Sequence, residues 1–266
     1  MQMDTETLEK DIHGQIKDIS KFLSDYATSL MSVGVQSSRI VKNTQRIAEA
    51  YGCRCESTIF QKTIIMTIWD SDYEHSYSSV GIMKSIGLNF DMNAKLSRLS
   101  WDIIDESLTL PVAKEKYESI IRQPRESKWL VLILVSFANA AFCRLFEGDA
   151  WSMLIVFIAT LCGFFLKQVL LGKHWNELAV YALSAFVAAI IGCSAYIWHL
   201  GNTPDMALGT SVLYLIPGVP LINGIMDIID GHVVTGASRL MNAALLIICL
   251  FIGLSAAILL IGIQTL

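Results

Sequence analysis

Leu8, Ile12, Ile16, Ile19, Leu23, Tyr26 and Leu30 recur at steps of three or four residues. That spacing lays one apolar stripe along a long amphipathic helix. Gly34 interrupts it, and a second helix is expected to open at Ser37/Ser38, whose hydroxyls can cap free N–H groups. It should turn Ile40, Val41, Thr44, Ile47 and Ala48 inward and stop at Tyr51-Gly52. The period then changes. Arg54–Phe60 and Thr63–Trp69, rich in Thr, Ile and Phe, predict two antiparallel strands joined at Gln61-Lys62, and Ser76–Met83 predicts a third. Asp91–Ser107 returns to helical spacing with Leu96, Leu99, Ile103 and Ile104 inward. Pro111 suits the first turn of a further short helix, which Gln123-Pro124-Arg125 ends. Residues 1–128 therefore predict a small α+β domain, a hairpin-containing sheet covered by helices.

From Trp129 onward the polar positions all but vanish. Five stretches approach the ~20 apolar residues that a spanning helix needs: 129–146, 151–171, 178–198, 206–226 and 240–263. The fourth is broken by Pro217, Gly218 and Pro220 in the run Pro-Gly-Val-Pro. The expected architecture is an N-terminal cytosolic α+β domain (1–128) followed by an α-helical membrane bundle of five transmembrane helices (129–266). Trp129, Trp151 and Trp198 stand at span ends, where an aromatic belt belongs.

Charge sharpens this division. Of the 20 Lys/Arg and 24 Asp/Glu, residues 1–128 hold 16 and 18 and residues 129–266 hold 4 and 6. A wholly soluble enzyme and a secreted disulfide scaffold are excluded. With a net charge of −2 in each half there is no basic footprint for nucleic acid. The first 20 residues carry Asp4, Glu6, Glu9, Lys10, Asp11, Lys17 and Asp18 and no apolar core of a secretory signal, which keeps the N-terminus in the cytosol. Arg122, Arg125 and Lys128 before the first span, Lys167 and Lys173 after the second, and Arg239 before the fifth fall on one side, against Arg144 alone on the other. By the positive-inside rule the N-terminus is cytoplasmic and the C-terminus outside, in a multi-pass protein in contact with membrane lipid. Cys53 and Cys55 alternate in a strand and share a face; packing is favoured over metal there, because no further Cys or His stands at ligand spacing. No metal and no cofactor are expected.

The informative stretch is 215–240, LIPGVPLINGIMDIIDGHVVTGASRL. Prolines remove backbone donors inside a membrane helix, and such breaks are tolerated where backbone lines a cavity or packs on protein. The plain alternative is a proline kink. Beyond the break, Asn223, Asp227 and Asp230 step by four and three on one stripe. Carboxylates at membrane depth ordinarily face a water path, a proton relay or a cation; the plain alternative puts both at the cytosolic interface, ahead of Gly231 and His232. Asp227, which shares its stripe with Asn223 nearest the break, is assigned to the solute or proton path. Asp230 is expected to pair with Arg239. Gly34 should permit a tight turn, and Arg39, at a helix start where a cation is disfavoured, should need a carboxylate or anionic partner. Ser136, Asn139 and Arg144 either line a path or pack helices; Gly163, Gly192 and Gly253 suit close helix contacts.

The run Pro-Gly-Val-Pro-Leu-Ile-Asn-Gly…Asp…Asp-Gly…Gly…Arg resembles the threonine/serine exporter (ThrE-like) family. The segment Leu30-Met31-Ser32-Val33-Gly34-Val35-Gln36-Ser37-Ser38-Arg39 is similar to that family's N-terminal signature. The resemblance covers nearly the whole chain. Full-length members carry a second hydrophobic module after these spans, so the chain looks like the larger subunit (YjjP type) of the split form. That implies a partner, a small four-span membrane subunit of the YjjB type, and a small-molecule carboxylate solute, either threonine/serine or a succinate-like dicarboxylate. The expected function is a gradient-driven secondary exporter subunit and not an enzyme. No G-x-x-x-x-G-K-[ST] run points to ATP use, and an aspartyl protease needs two carboxylates from different helices. The alternative is a membrane-anchored sensor or scaffold with a cytosolic ligand-binding domain. A homo-oligomer stays open.

Overall fold

The computed structural model describes residues 2–84, 87–124 and 126–262, with side chains from His13 onward. The side chains of Leu8 and Ile12, together with Arg125 and Leu266, lie outside the described residues. The chain forms two compact units, Met1–Pro124 with Val219–Leu240, and Arg125–Gly218 with Met241–Leu266.

The first unit begins with α1 (Gln2–Ser32) and α2 (Ser37–Ala50), then β1 (Arg54–Ile59), β2 (Thr63–Trp69) and β3 (Ser76–Ile82), then α3 (Phe90–Asp105) and α4 (Leu110–Ile121). The strands form one antiparallel sheet in chain order, with Ile59 opposite Ile64 and Thr63 opposite Ile82. The period-two pattern of β2 buries Ile64, Met66 and Ile68 on one face. The α1 stripe from Ile16 through Ile19, Leu23, Tyr26 and Leu30 is buried in the same core. Tyr26 cannot leave its hydroxyl unpaired there, and it donates to the Leu96 carbonyl of α3 at 2.9 Å. Cys53 and Cys55 belong to this core too. Burial pushes both thiols up, Cys55 to about 12. Ile104 corrects an expectation. It is 40% exposed, because Met92, Leu96, Leu99 and Ile103 already complete the inward stripe of α3.

The second unit contains α5 (Lys128–Leu145), α6 (Ala150–Gly172), α7 (Glu177–Ile197), α8 (Pro204–Ser211) and a 3-10 turn at Leu213–Leu215. The chain continues with α9 (Gly218–Ile229) and α10 (Val233–Ile261). Among the described residues four helices, α5, α6, α7 and α10, are long and apolar enough to cross a membrane; a fifth span exists if α8 with its turn and α9 count as one interrupted span. The 206–226 span is therefore no continuous helix. Ile216, extended at φ −60° and ψ 124°, precedes Pro217, whose ring excludes the α conformation from the residue before it. Pro220 breaks nothing. It lies in the first turn of α9, where a missing N–H has no partner to lose. The last helix also starts earlier than expected, at Val233 instead of residue 240, so Arg239 sits within it.

Small residues set the helix contacts of the second unit. A Cβ on Gly163 would stand 3.0 Å from the Ser184 carbonyl, one on Gly192 3.1 Å from Ser211 Cβ, and one on Gly253 2.9 Å from the Phe186 nitrogen. Asn139 is buried and donates to Thr160 Oγ1 at 2.7 Å and to the Thr210 carbonyl at 3.0 Å, tying α5 to α6 and α8. Ser136 returns its hydroxyl to Leu132 on its own helix, and Arg144 donates to the Gly148 carbonyl just past the end of α5. Ser136, Asn139 and Arg144 thus make local or packing bonds.

Candidate functional site

The site lies within the first unit, where the turn after α1 meets the hairpin of α9 and the start of α10. α1 closes with Val35 N–H bonded to the Leu30 carbonyl and Gly34 N–H bonded to the Met31 carbonyl, both at 3.2 Å. That pair of bonds is a Schellman cap, which requires a left-handed residue, and Gly34 supplies it at φ +84°. A side chain here would also collide with Leu88. The cap leaves two carbonyls for outside donors. Gly34 O accepts from Asn223 Nδ2 at 2.7 Å, and Val35 O accepts from Arg239 Nη2 at 3.2 Å.

Gln36 then stands in the N-cap position of α2 with no side-chain cap. This corrects the expected role of Ser37 and Ser38. Ser37 is the first helical residue, and it donates to a carboxylate 190 residues away. Its N–H reaches Asp227 Oδ1 at 2.9 Å and its hydroxyl reaches Asp227 Oδ2 at 3.0 Å. A helix N-terminus attracts negative charge, so Asp227 does the work of a cap from a distant part of the chain.

Arg239 completes the cage. Its Nη1 lies 3.1 Å from Asp227 Oδ2, with the carboxylate fully buried and the arginine side chain 13% exposed. Asp227, and not Asp230, is thus the partner of Arg239. The physical reason is local: α9 ends at Ile229, so the stripe through Asn223 and Asp227 stops one residue before Asp230, which is exposed in the turn. The Nη1 contact is an ion pair without hydrogen-bond alignment, so the guanidinium keeps a buried N–H with no acceptor among the described residues.

Two glycines bring these charges together. A Cβ on Gly236 would stand 2.5 Å from the Gly224 carbonyl and 2.9 Å from the Ile228 nitrogen, so the backbones of α9 and α10 touch there. Asp227 and Arg239 each follow one of these glycines by three residues, about one helical turn. Gly231, at φ +89°, reverses the chain between the two helices. Thr235 Oγ1 donates to the Ile59 carbonyl, and Ser238 Oγ to Gln61 Oε1 at 3.0 Å, which fixes α10 to the β1–β2 hairpin.

The remaining sequence candidates lie elsewhere. Arg39 is exposed and donates to Ser97 Oγ at 3.0 Å, a hydroxyl where a carboxylate or anionic partner was expected. Pro217 and Gly218 end the first segment of the second unit, and Pro220 lies in the first turn of α9. His232 gives its backbone N–H to the Asp227 carbonyl at 2.7 Å. Sequence reasoning missed Ser37 as a ligand of Asp227 and gave Gly224 and Gly236 no role. The available signal was a glycine three residues before each of two opposite charges.

Residues 21–261 match a family model described as "Putative threonine/serine exporter". The chain is 30% identical over 239 residues to the Escherichia coli K12 protein named "Probable succinate transporter subunit YjjP", covering 88% of this chain and 91% of that one. It is 28% identical over 250 residues to a Klebsiella aerogenes protein of the same name, covering 92% and 95%. A Mycobacterium tuberculosis protein named "Probable threonine/serine exporter" is 22% identical over 236 residues, which cover 86% of this chain and 43% of that protein. No solved structure matches.

Proposed function

Because this chain belongs to the threonine/serine exporter family, we propose that it is the larger subunit of a gradient-driven exporter of small carboxylate-bearing metabolites. The solute is threonine/serine or a succinate-like dicarboxylate. One observation carries this reading: a fully buried Asp227 held by Ser37 and by an arginine that retains an unused buried N–H.

A buried ion pair is stable only while both charges stay paired and hydrogen-bonded. A solute carboxylate first takes the free N–H of Arg239, because guanidinium recognises carboxylates with its fork of donors. It then competes with Asp227 for the rest of the guanidinium and for Ser37. Asp227, stripped of its cation, takes up a proton to remain in a low-dielectric site. When the solute leaves, Arg239 re-forms its pair and the proton is released. Solute occupancy and protonation of Asp227 thereby rise and fall together, and this links flux to proton movement. Asn223 holds the Gly34 carbonyl and keeps the turn in place throughout. The break at Pro217-Gly218 supplies the point at which the α9–α10 hairpin moves.

The Escherichia coli and Klebsiella relatives are named as subunits, and a four-span partner of the YjjB type would complete the path. The test is flux in proteoliposomes that contain this chain and such a partner. An imposed pH gradient should drive uptake of radiolabelled succinate or threonine, and Arg239→Lys, which keeps the charge and loses the fork, should abolish it. Gradient-independent flux, or normal flux in Arg239→Lys, would overturn the mechanism. Absence of any flux with the partner present would favour a sensor or scaffold.

A further inference from the structure

The transport reading leaves Arg39 without the anionic partner that its position asks for. Arg39, Lys42 and Arg46 are the cations of α2, and their steps of three and four lay them on one stripe. Glu49 is the one carboxylate on that helix, and none of the three cations forms an ion pair among the described residues. On the adjoining α3, Asp91 is turned to Lys95 and Asp102 to Arg98. A stripe of exposed cations is ordinarily a solvated face. Two features set this one apart.

The arginines are fixed. Arg39 Nη2 donates to Ser97 Oγ at 3.0 Å. Arg46 Nη1 donates to Ser100 Oγ at 2.8 Å and to Asn43 Oδ1 at 3.0 Å, and its guanidinium lies 3.6 Å from the centre of the Trp101 ring. The serine protons go to other acceptors, that of Ser100 to the Ser97 carbonyl at 2.7 Å and that of Ser97 to Asn93 Oδ1 at 3.4 Å. Both hydroxyls are therefore left to receive from the guanidiniums.

The arginines also converge. They leave α2 seven residues apart, about 10.5 Å along its axis. They arrive at hydroxyls three residues apart on α3, whose Cβ atoms are separated by roughly 5–6 Å. Both act on one buried phenol: burial pushes Tyr26 up, against its polar neighbours Ser100 and Asn43 and the charges of Arg46 and Arg39. Like charges drawn together repel. The first turn of α2 holds no acidic residue, and a cation there is opposed by the helix dipole. An anion between the guanidiniums would relieve both. A carboxylate offers two oxygens in one plane, which a single guanidinium fork saturates. A phosphate group spreads its oxygens in three dimensions and accepts from two guanidiniums at once.

We propose that the α2–α3 face is a binding site for a phosphate group, carried by a phosphorylated small molecule or a phospholipid headgroup, and held by Arg39 and Arg46 with Lys42 adding charge. Ser97, Ser100 and Trp101 are positioning residues that keep the two guanidiniums in place. The site goes beyond the exporter reading and does not rest on it, since neither arginine takes part in the cage around Asp227.

The test titrates glycerol 3-phosphate, a soluble phosphate monoester, into the full chain in detergent micelles and follows the heat. It should bind saturably and more weakly as salt is raised, and an equal concentration of succinate should not displace it. Arg39→Gln, at an exposed position, should weaken binding by roughly tenfold, the weight of one hydrogen bond to a charged group. Its ligand-free melting temperature should not change. Arg46 also braces Ser100 and Trp101, so its variant is Arg46→Lys, which keeps the charge, loses the fork and should weaken binding several-fold. Nanodiscs separate the two sources. Suppression of glycerol 3-phosphate binding by phosphatidylglycerol, and not by neutral phosphatidylcholine, marks a headgroup as the occupant; equal binding in both lipids marks a soluble ligand. The proposal is overturned if glycerol 3-phosphate does not bind in micelles, if succinate displaces it, or if Arg39→Gln binds it as the unmodified chain does. Loss of flux in the proteoliposome assay with this binding intact would remove the exporter reading and leave the site standing.

Discussion

On the proposed exchange mechanism, Asp227 and Arg239 are the residues on which folding and function make separable demands. Removing one member of a buried pair leaves an uncompensated charge and costs about 3–5 kcal/mol, whereas replacing both with apolar groups of similar volume is often neutral. Arg239→Met should therefore lower the thermal midpoint sharply in detergent, and Asp227→Leu/Arg239→Met should recover most of that loss. Flux should be absent in both. If the double variant transported, the pair would be a structural fastening alone. Asp230→Asn, at an exposed turn position, should change stability by no more than about 0.5 kcal/mol and leave flux intact. Cys55 gives an independent check of the core. The thiolate is the reactive form, and burial pushes this thiol up to about 12. Alkylation at pH 8 should leave Cys55 unmodified in the folded protein and modify it after denaturation, as read by peptide mass spectrometry.

At the scale of elements, the geometry depends on two glycine-dependent junctions. Gly34 combines a left-handed backbone with close approach of Leu88, so Gly34→Ala carries two costs. The conformational part is about 1–2 kcal/mol, and the collision adds to it. Adding Leu88→Ala should return the collision part and leave the conformational part, a difference that denaturation midpoints can resolve. At the α9–α10 crossing there is no such remedy, because Gly236 faces backbone atoms of Gly224 and Ile228. Gly236→Ala should force the helices apart at a cost of about 1–3 kcal/mol. It should also weaken the Asp227–Arg239 contact, so that flux falls even in the fraction that folds. Equal flux per folded molecule in Gly236→Ala would show that the crossing does not set the charge geometry.

At the scale of the whole molecule, the exporter reading expects a division of labour between chains. Liposomes with this protein alone should show no concentrative flux of succinate or threonine, and addition of a four-span partner should restore it. From the charge bias along the sequence we propose that the N-terminus lies in the cytosol and the C-terminus outside. A phosphatase reporter that works only outside the cytoplasm, fused after Leu266, should be active, and the same reporter fused before Met1 should be silent.

The periodicity of residues 16–30, the alternation in β2 and the uncharged stretches after Trp129 were enough to place the helices of the first unit, the three-stranded sheet and the apolar helices α5, α6 and α7. These features follow from burial of side chains at regular steps along a single element, which local sequence encodes directly. Pro217 likewise announced the break, since its effect is confined to its own backbone and that of Ile216. The sequence also held Asp227, Arg239, Asn223 and Gly34 as candidates by residue type. Their pairing was decided by tertiary structure. Whether Asp227 or Asp230 meets Arg239 depends on α9 ending at Ile229, and whether Ser37 caps its own helix or serves a carboxylate 190 residues away depends on where the α9–α10 hairpin docks. An ion pair forms between whichever charges packing brings within reach, and that distance is a property of the assembled fold and not of spacing along the chain.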